Sequence, residues 1–532
     1  MRLSLHLVFL MSVGAAMAAA SEPSSLRRHL SEDEESRGFW GSLWNVFFGD
    51  GNFEWRPFDG AFSKFSNAWK EDDNNPDDMG AFVFKVTLND SIPVVENSFA
   101  AESLQMTTIS RNGLIGDKWN RYAWSSALDN DETLYIGTFN ANLNLWNAIK
   151  FYIAIARAPL GMKRKALVDG FLRWFHGGPL MDSNGAQIVK SDGEGGFTLE
   201  FNAPKDFVGF RSMVNYNGDI YAGSANGADG PNGISRYDFE FYGEGVGAKV
   251  FTNAGGDYHM LDDQGNLDAY DKSIRKMCVS EHTNRLFIGT ETHECAKVVI
   301  YDAALNTFKK IQQTGEHCKL AVSECLYIGD GKMLIGTWQS LGHALYVIDE
   351  MNDDAITQVA TPAMRGHFSH GVMELRVFKG QLYVGLLSFP SGFALFRTSN
   401  LNVLGVGDDE WEIITDDGFA QEQRDQLGAR VSGNEYPWSS AEIDGVYLLG
   451  TMTVSQRGIS LNSQELIGVQ PQLWASRDGS TWTLVPHEDQ PGHLFGYRTM
   501  QSTADGKTLY IGSASSLFER VDRSEFEADI EP

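Results

Sequence analysis

Arginine, carboxylate and aromatic side chains recur in the segments that precede hairpin turns, and this combination can bind an acidic ligand. Guanidinium groups form paired hydrogen bonds with a carboxylate, and aromatic rings stack on apolar faces of a ligand. We therefore predict that an acidic sugar or another carboxylate ligand binds where these segments converge. Serine, threonine and arginine at a repeated position can instead hydrogen-bond between neighbouring repeats, which is the structural alternative. The ligand-binding candidates are Arg121, Trp124, Arg211, Arg376, Trp438, Glu442 and Arg498.

Glu374, His367 and His370 are the candidates for catalysis. Glu374 interrupts the repeated pattern of its segment, and the two histidines immediately precede that segment. A histidine there can act as a general base or bind a metal, but a His-x-x-His pair is also common in ordinary loops. The acidic segment 262–268 resembles a Ca²⁺ loop without its distal glutamate, so Ca²⁺ binding and a solvated loop both stay open. No cofactor, nucleotide-binding loop, catalytic triad or zinc motif is identified.

The four cysteines fall within two adjacent repeats. They are Cys278, Cys295, Cys318 and Cys325. In an oxidising compartment this number and spacing predict two disulfides, with three pairings open. Metal binding together with nearby histidines is the alternative, although the sequence contains no Cys-x-x-Cys pair.

A short apolar motif that ends in glycine followed by a small or apolar residue occurs seven times. The candidate residues lie in the repeats that this motif defines. Several copies follow an Asn-Gly, Lys-Gly or Asp-Gly turn, which is a strong hairpin signal. Each repeat holds up to four strand-like segments, as expected for a blade of a β-propeller. We predict an all-β, seven-bladed β-propeller, with eight blades as the alternative. The glycines of the repeated motif are Gly137, Gly223, Gly289, Gly336, Gly385, Gly450 and Gly512.

The two ends of the propeller are predicted to share one blade. The segment 81–86 looks like a blade-closing strand without a first half of its own, and the seventh repeat stops short. Sharing a blade would cover strand edges that otherwise invite aggregation. The longest interval between two repeat glycines carries an insertion at about 141–178 with a helical pattern. This basic insertion packs on the first blade, acts as a lid, or contacts a membrane surface through residues 146–174.

Charge and the amino terminus indicate the compartment. A formal net charge of −27 argues against nucleic acid as a partner. Residues 1–20 combine a basic start, a short apolar run and small residues, which predicts a signal peptide and a secreted protein. We expect a monomer whose partner is a polysaccharide or an extracellular protein. The other predicted regions are a disordered acidic linker at 21–37, an aromatic segment at 38–80, the propeller at 81–525, an acidic tail at 526–532 and a glycosylation sequon at Asn89.

Two short motifs resemble known families. The segment 476–482, Ser-Arg-Asp-Gly-Ser-Thr-Trp, resembles the Asp-box turn of sialidases and related propellers, with one residue fewer. In those families the box is a structural turn between outer strands, so the resemblance implies the fold and not sialidase activity. The segment 27–35 has a basic-Leu motif and an acidic cluster, and resembles secreted oomycete effectors of the Arg-x-Leu-Arg class without the final arginine. A solvated linker is the alternative for that segment.

Two functions follow as expectations. The first is a non-catalytic secreted propeller that recognises a glycan or an extracellular partner at the mouth of its central channel. The alternative is an extracellular carbohydrate-active hydrolase or lyase that uses carboxylate and histidine groups at the same mouth. A secreted host-directed effector is a weaker third expectation.

Overall fold

Short runs of β-branched and aromatic residues between glycine, asparagine and aspartate turns form the strands of this computed structural model. The strands are β1 (Val83–Leu88), β2 (Leu104–Ser110), β3 (Asn120–Leu128), β4 (Leu134–Asn140), β5 (Gln187–Ser191), β6 (Phe197–Asn202), β7 (Phe207–Tyr216), β8 (Asp219–Asn226), β9 (Val250–Thr252), β10 (His259–Met260), β11 (Asp271–Val279), β12 (Leu286–Thr292), β13 (Lys297–Asp302), β14 (Thr307–Gln312), β15 (Ala321–Tyr327), β16 (Lys332–Trp338), β17 (Leu345–Asp349), β18 (Ala355–Val359), β19 (Ser369–Phe378), β20 (Gln381–Ser388), β21 (Ala394–Thr398), β22 (Glu412–Thr415), β23 (Gln423–Arg424), β24 (Arg430–Val431), β25 (Asn434–Ile443), β26 (Val446–Thr453), β27 (Leu473–Ser476), β28 (Thr483–Val485), β29 (Leu494–Ser502) and β30 (Thr508–Ser515). Two 3₁₀ turns are Glu350–Asn352 and Val403–Gly405.

The structure describes a defined set of residues, and all of them belong to one contact unit of the chain. They are 81–88, 104–110, 114–115, 120–140, 185–193, 195–204, 206–226, 247–268, 271–292, 295–312, 321–338, 343–359, 369–388, 392–405, 410–419, 423–424, 430–431, 434–453, 471–487 and 494–515. Several predictions concern residues outside these ranges, and they stay predictions. They are the signal peptide, the segments 21–37 and 38–80, the helical insertion with its membrane contact, the acidic tail, Asn89, Cys318 and His367.

The strands pair into antiparallel units of four, the strand pattern of propeller blades. The units are unit 1 (β3–β6), unit 2 (β7–β10), unit 3 (β11–β14), unit 4 (β15–β18), unit 5 (β19–β22), unit 6 (β25–β28) and unit 7 (β29, β30, β1 and β2). The strands β23 and β24 form a separate two-stranded ribbon.

Unit 7 combines both ends of the described chain. Its strand β1 pairs with β30 on one side and with β2 on the other. The predicted joining of the two ends in one antiparallel unit is therefore seen in the strand pairing. The N-terminal strands complete this unit and do not form one of their own.

The first strand of each unit is its inner strand. Each inner strand contacts the inner strand of the next unit, and β29 contacts β3. Hydrophobic clusters fill every interface between neighbouring units, including the interface between unit 7 and unit 1. Both faces of each unit are consequently buried against another unit, which explains why the second strands are almost continuously apolar.

The repeated glycine allows this close packing between units. A Cβ added at Gly289 of unit 3 would lie 2.4 Å from Val322 Cγ1 of unit 4. A Cβ at Gly512 of unit 7 would lie 2.6 Å from Ala123 Cβ of unit 1. The glycine thus lets the inner strand of the following unit approach its backbone, which accounts for its presence in every repeat.

Substituting Gly289 by alanine should lower the free energy of unfolding by about 1–3 kcal/mol, because the added methyl group overlaps Val322. Chemical denaturation of purified protein measures this change. Gly405→Ala is the matched control, since nothing lies within 4 Å of its added Cβ. Equal midpoints for Gly289→Ala and the unsubstituted protein would contradict this account of the repeat.

Candidate functional site

Every inner strand carries a β-bulge at the same place. In each unit the residue paired with the repeat glycine follows one extra, unpaired residue. A bulge twists its strand and redirects the extra side chain. The extra residues are Trp124, Arg211, Arg275, Ser323, Met373, Trp438 and Arg498.

Contacts between units that are not neighbours show that the bulge residues converge. Arg275 Nη2 of unit 3 lies 3.9 Å from Met373 Sδ of unit 5. The rings of Tyr122 in unit 1 and Trp438 in unit 6 are 6.1 Å apart and perpendicular. We call the group at this convergence the central cluster, and its members are Tyr122, Trp124, Arg211, Arg275, Glu291, Tyr436, Trp438 and Arg498.

Glu291 is the acidic partner of two arginines in the central cluster. Its Oε2 accepts a short hydrogen bond from Arg211 Nη1 and lies 3.3 Å from Arg275 Nη1. Burial alone would raise the pKa of Glu291, but the two guanidinium groups outweigh burial and hold it at about 2. Glu291 is therefore ionised at neutral pH and neutralises one of the two positive charges beside it.

Arg498 has no such partner. Its guanidinium carbon lies 5.1 Å from the centre of the Trp438 ring, within the range of a cation–π contact. Within the described part of the chain it makes no hydrogen bond or ion pair, and its buried Nε lacks an acceptor. Burial, with the positive charges of Arg211 and Arg275, outweighs the opposing charge of Glu324 and lowers the pKa of Arg498 to about 9. The central cluster thus holds more positive than negative charge, a condition that favours an anion.

Trp124 and Trp438 each lie beneath the guanidinium group of an arginine. Arg211 lies over Trp124 at 5.2 Å, as Arg498 lies over Trp438. Backbone packs closely against each indole as well, because a Cβ at Gly209 would fall 2.2 Å from Trp124 Cε3 and one at Gly496 would fall 2.1 Å from Trp438 Cζ3. Each indole therefore contacts a guanidinium group and a glycine of the next unit. A role in orienting the arginines accordingly stands beside the predicted role in stacking on a ligand.

A second polar group lies further along the inner strands. Glu374 is buried, accepts a hydrogen bond of 2.6 Å from Ser440 Oγ and lies 3.9 Å from Arg376 Nε. Burial raises the pKa of Glu374 to about 7, helped by the charge of Glu324 and opposed by Arg376. Lys276 Nζ pairs with Glu324 Oε2 at 2.6 Å. Glu374 is therefore a carboxyl group able to exchange a proton near neutral pH.

The serines after the bulges hold neighbouring units together. Ser125 Oγ donates to the Phe210 carbonyl at 2.7 Å, and Ser439 Oγ donates to the Tyr497 carbonyl at 2.9 Å. The structural alternative raised for repeated polar positions is thus correct for these serines. Hydrogen bonding between units does not account for Arg498, whose Nε has no acceptor in the described residues.

The predicted ligand-binding residues separate into three groups. Trp124, Arg211, Trp438 and Arg498 meet in the central cluster, and Arg376 lies with Glu374. Glu442 is exposed near the far end of β25, beside the Asp444-Gly445 turn, so the structure does not place it with the arginines. The side chains of Arg121 and His370 lie outside the described residues, as does all of His367.

Arg275 and Glu291 are cluster members that sequence reasoning missed. In the third repeat, the sequence pattern places Ser280 and Glu281 in the segment before the hairpin turn. The structure places Ser280 and Glu281 in the turn after β11. A longer turn, between Val279 and Leu286, displaced that alignment. Aligning Ile274-Arg275-Lys276 with Phe210-Arg211-Ser212 would have identified the third arginine.

One predicted disulfide is confirmed. Cys278 and Cys325 are bonded with a Cα–Cα distance of 6.1 Å, and they join the inner strands of units 3 and 4. Cys295 is disulfide-bonded too, and Cys318 lies outside the described residues. This pairing selects one of the three open connectivities and disfavours a metal site at these cysteines.

The acidic segment 262–268 uses its carboxylates for protein contacts. Asp263 Oδ1 accepts from Gly265 N and its Oδ2 pairs with Lys249, while Asp268 pairs with Lys297. Among the described residues, no group of three or more histidine, cysteine, aspartate or glutamate side chains could hold a metal. The structure thus gives no support to a Ca²⁺ site in this segment.

The Asp-box-like segment is a tight turn between the outer strands β27 and β28. Asp478 Oδ1 accepts hydrogen bonds of 2.7 Å from the backbone N–H groups of Ser480 and Thr481. Gly479 N donates to Ser476 Oγ, and Trp482 packs on Tyr447. The turn stabilises the outer part of unit 6 and is not part of the central cluster.

Comparisons with known proteins leave the function to be inferred from the site. No protein-family model and no curated protein matches the chain. A solved structure from Lactobacillus plantarum is similar at 12% identity and a TM-score of 0.41, covering 76% of this chain and 95% of that chain. A candidate 6-phosphogluconolactonase from Bacteroides fragilis has 10% identity and a TM-score of 0.39, covering 76% and 94%. A GH43 β-1,3-galactosidase has 12% identity and a TM-score of 0.27, covering 46% and 93%. Across the described ranges, no helix has the length and apolar character needed to cross a membrane.

Proposed function

We propose that the units form a closed, seven-bladed β-propeller that is secreted and binds an acidic carbohydrate at the central cluster. The contacts of unit 7 with unit 1 support ring closure, since Tyr122 pairs with Ala514 and β29 contacts β3. The disulfide between Cys278 and Cys325 supports an oxidising compartment.

The unbalanced charge of the central cluster carries the proposal. Arg211, Arg275 and Arg498 come from three inner strands, and Glu291 is the acid that pairs with the first two. Arg498 stays without an acidic partner in the described chain, at a cost in free energy that an anionic ligand would remove. Because the whole protein is strongly acidic, this local positive charge would attract an anion to the central cluster.

Aromatic and hydroxyl groups around the arginines favour a carbohydrate as the carrier of that anion. Tyr122, Tyr436 and Trp124 border the arginines and are only partly buried. Rings of this kind combine an apolar face with a hydrogen-bonding edge, which suits the mixed surface of a sugar.

Titration calorimetry of the mature protein with acidic and neutral oligosaccharides tests the proposal. Oligogalacturonate should bind, its neutral galactose counterpart should not, and added salt should weaken the binding because the interaction is ionic. Equal binding of the neutral and acidic ligands, or no binding of either, would overturn it.

The raised pKa of Glu374 favours an alternative function, that of an extracellular carbohydrate-active hydrolase or lyase. A buried carboxyl group with a pKa near 7 can act as a general acid at neutral pH. Release of reducing sugar from the same ligands, falling as pH rises above 7 and lost in Glu374→Gln, would support the enzyme. Binding without product release would support recognition alone.

A further inference from the structure

The central cluster contains one module twice. Units 1 and 6 carry Tyr-x-Trp-Ser-Ser, beginning at Tyr122 and Tyr436. The units that follow them, 2 and 7, carry Gly-aromatic-Arg-(Ser/Thr)-Met, beginning at Gly209 and Gly496. We call Tyr122, Trp124, Gly209 and Arg211 half-site A, and Tyr436, Trp438, Gly496 and Arg498 half-site B.

The two half-sites share their geometry as well as their sequence. The arginine lies over the tryptophan at 5.2 Å in half-site A and at 5.1 Å in half-site B. Each glycine pairs with the last part of the preceding unit's second strand, at Phe139 in one case and at Met452 in the other. Each module also makes the same serine-to-carbonyl hydrogen bond between units. An interaction seen in one half-site is therefore informative about the other.

The unit that follows the arginine differs between the half-sites, and one difference decides whether the arginine has a carboxylate partner. In unit 3, two residues after Gly289, Glu291 supplies the carboxylate that pairs with Arg211. In unit 1, two residues after Gly137, the equivalent residue is Phe139. Phe139 is buried against Tyr122 and Trp124, and it has no acceptor to offer Arg498.

We infer that half-site B binds a carboxylate of the ligand in the way that half-site A binds the carboxylate of Glu291. This inference rests on the proposed recognition of an acidic carbohydrate and names its class, a sugar that carries a carboxylate such as a uronate. The observed partner of Arg211 is a planar, singly charged group. Glu291 is bound through Arg211 Nη1, whereas the guanidinium of Arg498 makes no hydrogen bond to the described residues, so its N–H groups can donate to a carboxylate of the ligand.

Phe139→Glu tests the equivalence by giving half-site B its own carboxylate. Binding of oligogalacturonate should fall at least tenfold in this variant, because the new side chain competes with the ligand for Arg498. Phe139→Gln is the matched control, with similar size and no charge, and should bind more tightly than Phe139→Glu. A folded Phe139→Glu protein that binds as tightly as Phe139→Gln would overturn the inference.

Glu291→Gly provides a measurement that does not depend on the folding of Phe139 variants. Removing the carboxylate from half-site A should allow a second galacturonate to bind, so the stoichiometry measured by calorimetry should rise from one to two. A stoichiometry that stays at one would contradict the equivalence of the half-sites.

The ligand series separates this inference from the proposed function. Galacturonate should bind, whereas its methyl ester and a sulfated galactose should bind at least tenfold more weakly. Tight binding of the sulfated sugar would overturn the assignment of a carboxylate but leave acidic-carbohydrate recognition standing. Failure of every acidic sugar to bind would overturn both.

Discussion

Replacing Arg498 by methionine should weaken the binding of oligogalacturonate about 100-fold and, at the same time, stabilise the protein. The loss of affinity follows because truncating one partner of a buried, hydrogen-bonded charge pair typically costs 2–5 kcal/mol. The gain in stability follows because the substitution removes a positive charge that has no acidic partner in the described structure and is repelled by Arg211 and Arg275. Methionine retains most of the apolar stem of the arginine without its charge.

Calorimetric binding and thermal unfolding, measured on the same preparation without ligand, check both parts of this prediction. Arg477→Met is the matched control, since it removes the same charge from the outer turn between β27 and β28. A structural role for Arg498 would lower the unfolding midpoint, and a ligand-binding role should raise it. Unchanged affinity in Arg498→Met would remove the basis for anion binding at this cluster.

Glu291→Gln should destabilise the protein by about 1.5–3 kcal/mol, the range for losing a hydrogen bond between charged groups, because the ion pair is only partly buried. Arg211 and Arg275 would then lose the carboxylate that pairs with both of them. Denaturant titration measures the effect, and Glu412→Gln is the control. Glu412 pairs with Arg397 on an exposed outer strand, where an ion pair contributes about 0–1 kcal/mol.

The same pair predicts a dependence on pH. The folded-state pKa of Glu291 is about 2, below its ordinary value of 4.5, so its stabilisation is present above 4.5 and lost as pH falls through 2. The stability difference between the unsubstituted protein and Glu291→Gln should therefore shrink across that window. A difference that stays constant from pH 5 to pH 2 would show that Glu291 acts through packing and not through its charge.

The architecture was predictable because its signals are local and repeated. The second strand of each unit contains the glycine of the repeated apolar motif. Positive φ angles at Asn217, Lys379 and Asp444 confirm three of the predicted two-residue hairpin turns. Pairing of β1 with β30 followed from the unfinished repeats at the two ends. Such features depend on a few neighbouring residues, which a sequence displays directly.

The site was only partly predictable because a bulge shifts the register by one residue. Trp124, Arg211, Trp438 and Arg498 were found from their residue types, but Arg275 was displaced in alignment by the longer turn after β11. Glu291 lies on a second strand, among apolar residues whose neighbours pack between units, so its position alone resembles core. Its partnership with Arg211 is a contact between strands of neighbouring units, and no local pattern reveals such a contact.

The pairing of β1 with β30 also sets an order of events during synthesis. Phe82 and Ser513 are hydrogen-bonded across a sequence separation of 431 residues. At about 5–20 residues per second, the ribosome needs roughly 20–90 seconds to make the intervening chain. Throughout that time β1, whose Phe84 and Val86 are fully buried in the finished protein, can pair with β2 on one edge but lacks β30 on the other. The edge of β1 that later pairs with β30 is therefore open to non-native strand pairing until the last repeat has been made.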